Sequence, residues 1–94
     1  MEKKITQDIY NEIEQLVDCA LDAKTKKDAE PYLKKLNYLH WSEGYGGYTN
    51  ILFGELIASV QRASGSISDK EKLCRFARTC LYKLSGQIGT ATEN

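Results

Sequence analysis

Ninety-four residues leave room for one domain and no second. Thirteen Lys and Arg balance thirteen Asp and Glu, for a net charge of zero. A chain without charge excess has no general pull toward nucleic acid or an anionic membrane. With 28% charged and 41% hydrophobic residues, the composition is that of a folding chain, not a disordered one. No apolar run exceeds a few residues, so none is expected to span a bilayer. The opening residues, Met1 to Thr6, lack the apolar stretch of a secretion signal. Cys19, Cys74 and Cys80 cannot all pair, and no two form a C-x-x-C. Reduced thiols and a cytoplasmic location are the expectation.

Along the chain, Ile5, Ile9, Ile13, Leu16, Val17, Ala20 and Leu21 recur at helical spacing. They predict a first helix from about Thr6 to Lys24, capped by Thr6 with Asp8 in its first turn. A polar break at Lys24–Lys27 follows. Asp28 is the expected cap of a second helix, with Pro31 in its first turn and Tyr32, Leu33, Leu36 and Leu39 as its stripe. That helix is expected to end near Trp41. Three glycines among Gly44, Tyr45, Gly46 and Gly47 exclude regular helix there.

A third helix is expected from Thr49 or Asn50 to about Ala63. It is apolar on most sides, because Glu55 is the only formal charge between Gly44 and Gln61. Such a helix is either central or half of a subunit interface. Ser68 and Glu71 read as a capping box. They open a fourth helix whose stripe is Leu73, Phe76, Ala77, Cys80, Leu81 and Leu84, with Gly86 at its end. Gln87 to Asn94 read as a polar, mobile tail. Residues 1–94 thus predict one all-α domain, a compact and mainly antiparallel four-helix bundle. A Gly/Tyr-rich loop joins its second and third helices.

The residues that carry chemistry are few. A single histidine, His40, and scattered cysteines offer no metal-ligand spacing, so no metal and no other cofactor is expected. No nucleophile–base pair is evident, and no catalytic residue is assigned. Glu14, Asp18 and Asp22 line one edge of the first helix and read as a solvated acidic row. Glu55 on an apolar helix needs a partner if it is buried. Arg62 lies two turns on along the same face. Arg75 and Arg78, with Tyr82, share a face of the fourth helix and could grip a carboxylate or phosphate through forked hydrogen bonds.

The most unusual segment is Leu39 to Tyr48. It holds the only Trp and the only His, and three glycines. Tyr and Trp offer large contact area with few rotors, and glycine lets a backbone conform to a partner. His40, Trp41, Tyr45 and Tyr48 are therefore the candidate contact residues. The leading expectation is a small non-catalytic protein that binds another macromolecule, most simply a protein. Inhibitors, immunity proteins, adaptors and regulators carried by mobile elements act in this way. The alternative is a helical-bundle ligand-binding protein or small enzyme using Glu55, Arg62, Arg75 and Arg78 in a pocket. A deep polar pocket favours the second reading, and exposed aromatics favour the first. The apolar third helix, with Gly54 and Ala58 four apart, also predicts a homodimer or larger assembly. The charge balance speaks against nucleic acid.

Overall fold

The computed structural model describes residues 5–89. Four helices follow in order: α1 (Gln7–Asp22), α2 (Lys26–Ser42), α3 (Gly47–Gly65) and α4 (Lys70–Ser85). No helix among these residues is long and apolar enough to cross a membrane. Short connections make each helix antiparallel to the next. Contacts between distant residues fix two ends of the bundle.

At one end, the Tyr10 hydroxyl donates to the Leu81 carbonyl at 3.1 Å. Thr49 Oγ1 donates to Gln87 Oε1 at 2.9 Å. The backbones of Ile5 and Ile88 pair, and Gly89 N donates to Ile5 O at 2.8 Å. Part of the polar tail expected from residue 87 is therefore fastened to the start of the chain through residues 87–89. Residues 90–94 lie outside the described range. At the opposite end, Lys70 Nζ donates to the Ala23 carbonyl at 2.7 Å, tying the start of α4 to the end of α1.

α3 touches each of the other three helices and packs most extensively on α4, which makes it the central helix. Leu52, Phe53, Leu56, Ile57, Val60 and Ala63 are its buried residues within one continuous core. Ile13, Val17 and Ala20 enter that core from α1, Leu33 and Leu36 from α2, and Ala77, Cys80, Leu81 and Leu84 from α4. Nonlocal apolar burial of this kind, more than helix propensity, stabilises helices of such length.

The helix starts show where local rules compete. Thr6 caps α1 as expected, accepting from Ile9 N at 3.2 Å. For α2 the cap is Thr25, which accepts from Asp28 N at 3.0 Å, and not Asp28. Pro31 consequently falls inside the helix, beyond its first turn. The Ser68–Glu71 box does not form. Ser66 Oγ accepts the Asp69 N–H at 3.1 Å instead, α4 starts at Lys70, and its Asp69 cap makes no side-chain bond. α3 begins two residues earlier than Thr49, behind a Gly46 cap without a side-chain bond. Gly44 and Gly47 hold φ of 67° and 58°, a region that a side chain disfavours. These two glycines let the chain reverse within a few residues of the end of α2.

Candidate functional site

The turn between α2 and α3 sits at the bundle end that also holds the start of α1 and the end of α4. Its aromatics divide between inside and outside. Tyr45, expected at the surface, is instead only 5% exposed and belongs to the core. Its ring lies 6.0 Å from that of Phe53, tilted at 48°, an arrangement that aromatic pairs favour. Burial, aided by the Glu43 carboxylate, pushes its phenol up to about 12. Its inward turn has a local cause: Gly44 reverses the backbone just before it, and the core beneath presents Phe53.

His40 is half-buried and also serves this packing. Its ring lies 5.0 Å from Phe53, and Nε2 is 3.3 Å from the Asn50 carbonyl. Gly54 leaves room beside it, since a Cβ there would lie 3.6 Å from His40 Cε1. His40 thus ties the last turn of α2 to the first turns of α3.

Trp41 and Tyr48 point the other way. Trp41 is 81% exposed and Tyr48 60% exposed. Burial of Leu33 and Leu36 fixes the inner face of α2, and Trp41 falls about 100° or more around the helix from it. Two further exposed rings stand toward the same end: Tyr38 on α2, which the sequence reading left out, and Tyr82 near the end of α4, which it grouped with Arg75 and Arg78. The signal was available for Tyr38, which precedes Trp41 by three residues and so lies beside it on a helix. Four of the five exposed aromatic rings among the described residues are Tyr38, Trp41, Tyr48 and Tyr82, all toward this one end.

The charged candidates are only partly brought together. Glu55 is exposed rather than buried, so it needs no internal partner. With Arg62, Ala58 and Ser59 of α3, and Phe76 and Lys83 of α4, it lines an open cleft of about 390 Å³. Arg75 and Arg78 stand outside that lining, each with an acidic partner. Arg78 Nη1 meets Asp18 Oδ1 of α1 at 2.7 Å, and Arg75 lies 3.8 Å from Glu71 one turn earlier. The acidic row of α1 therefore supplies a structural ion pair. Cys19 is exposed, Cys74 half-buried and Cys80 buried, all as free thiols. Cys80 Sγ lies 3.4 Å from Ser59 Oγ. Among the described residues, no three His, Cys, Asp or Glu side chains gather as a metal site requires.

This geometry offers an end carrying exposed rings, and a shallow cleft of mixed charge. The first can bury apolar area against a flat surface. The second can hold a small polar group only loosely. No protein-family model, curated protein or solved structure matches this chain.

Proposed function

We propose that the chain acts without catalysis, by binding another protein through the aromatic end that carries Trp41 and Tyr48. The observation that carries this reading is the outward display of Trp41, Tyr48, Tyr38 and Tyr82 at one end of the bundle. Exposed apolar area costs solubility, and outward-facing rings are typical of contact surfaces. The rings stand on a firm base, because Tyr45 and His40 pack on Phe53 directly beneath the turn. A preorganised surface loses less entropy on binding. The zero net charge favours a protein partner over nucleic acid. Free thiols at Cys19, Cys74 and Cys80 support a reducing compartment such as a cytoplasm. An inhibitor, immunity protein, adaptor or mobile-element regulator would work through such a surface.

The competing reading, a ligand pocket or small enzyme, draws on the cleft holding Glu55, Arg62 and Lys83. Its weakness is that Arg75 and Arg78 are engaged by Glu71 and Asp18 elsewhere. Site-specific photocrosslinking separates the two. Placing p-benzoyl-phenylalanine at Trp41 or Tyr48 should yield a covalent adduct with one other protein in native cells. The same probe at Arg75, near the opposite end, should not. Equal labelling at all three positions, or no adduct at 41 and 48, would overturn the proposal.

A further inference from the structure

The outer side of α3 carries a pattern that packing within one chain leaves unused. α3 has two formal charges, Glu55 and Arg62, and both lie on its exposed side in one open cleft with Ala58 between them. Seven residues apart, they are separated by about 10 Å along the helix, beyond the one-turn reach of an intrahelical pair. Their midpoint falls between Ala58 and Ser59. One large aliphatic side chain, Ile51, is also exposed on this face, one turn before Glu55, at 56%. An acidic and a basic group are therefore arranged about one centre, with a small residue, Ala58, beside it.

We propose that this face binds a second copy of the chain, with the two α3 helices antiparallel across a twofold axis near Ala58. A twofold interface uses the same patch on both subunits, so the patch has to complement itself. Reversing α3 about this centre sets Glu55 opposite the partner's Arg62, and Arg62 opposite the partner's Glu55. Ala58 permits close approach of the two backbones at the axis. Phe76 and Lys83 of α4 form the other wall of the cleft and widen the contact. Within α3, the strip from Ile51 to Arg62 runs about 17 Å. This surface is separate from the Trp41 and Tyr48 end, and either proposal can fail without the other.

Sedimentation equilibrium of the whole chain at micromolar concentration tests the inference. Wild type should sediment at twice its 10.6 kDa mass. Glu55→Arg and Arg62→Glu should each weaken the dimer at least tenfold, because each sets like charges against each other twice. Mixing the two variants in equal amounts should restore a dimer, since every contact then pairs arginine with glutamate. Recovery on mixing also shows that both variants fold. Ile51→Asp, on the same face of α3 one turn before Glu55, should weaken the dimer independently of the charge exchange. A monomeric wild type would overturn the proposal. So would a dimer indifferent to these changes, or charge variants that fail to associate when mixed.

Discussion

Four positions separate Trp41 from Tyr45, and burial assigns them opposite work. Tyr45→Ala removes a ring packed on Phe53 and should cost about 3 kcal/mol of stability in urea unfolding, as large-to-small core changes do. Trp41→Ala should stay within about 0.5 kcal/mol of wild type, the usual range for an exposed side chain. The reverse ranking would show that the turn is packed differently. Alkaline pH gives a second reading of Tyr45. Its phenol is raised by burial, and secondarily by Glu43, from 10.0 to about 12. The unfolded chain releases this proton near pH 10, whereas the folded chain holds it to about 12. Its contribution is fully present below pH 10, and stability falls as pH rises from 10 to 12. Tyr10 is raised too, by burial first and then by Glu14, and acts in the same direction. Chemical unfolding across that window should show the fall, and Tyr45→Phe should reduce it. An unchanged pH profile in Tyr45→Phe would place the phenol in water. Sequence alone marked Trp41, Tyr45 and Tyr48 as one set because side-chain type is local. Which ring turns inward depends on the left-handed Gly44 and on Phe53, reached only once α3 has folded back.

Among the elements, the helical stripes were legible because they repeat over four turns and one strong period outweighs local exceptions. The starts were less so. Thr25, Asp28, Ser66 and Ser68 are all good caps, and the choice between them rests on how the connections reach the next helix. Ser66 taking the Asp69 N–H is one such outcome. Whether Glu55 is buried stayed open for a related reason: α3 is apolar on most sides, yet the side that carries Glu55 is exposed. Gly54 offers a test of packing within α3. A Cβ there meets His40 Cε1 at 3.6 Å, ordinary contact, so Gly54→Ala should stabilise the chain by about 0.5–1 kcal/mol through backbone entropy. A loss of similar size would mean that His40 lies closer to α3. Between α1 and α4, the Arg78–Asp18 pair is short but half-exposed. Asp18→Asn should therefore cost no more than about 1 kcal/mol, and high salt should narrow the difference from wild type. A larger, salt-independent loss would contradict a surface pair.

Across the whole molecule, the ends of the bundle differ in chemistry. The end that joins Ile5 to Ile88 and Thr49 to Gln87 carries the exposed rings, and the opposite end is closed by Lys70 on the Ala23 carbonyl. The all-α bundle could be read from periodicity, whereas this polarity could not, because Tyr38, Trp41, Tyr48 and Tyr82 are assembled by topology from three helices. The function proposed for that end stands on affinity that can be separated from stability. The most direct measurement is the dissociation constant between this chain and the protein captured by crosslinking, for wild type, Trp41→Ala and Tyr48→Ala, alongside each melting temperature. Each variant should bind about 30-fold more weakly, a loss of about 2 kcal/mol, while melting almost as wild type does. Unchanged affinity in both variants, or a loss that follows unfolding, would contradict a contact surface at this end.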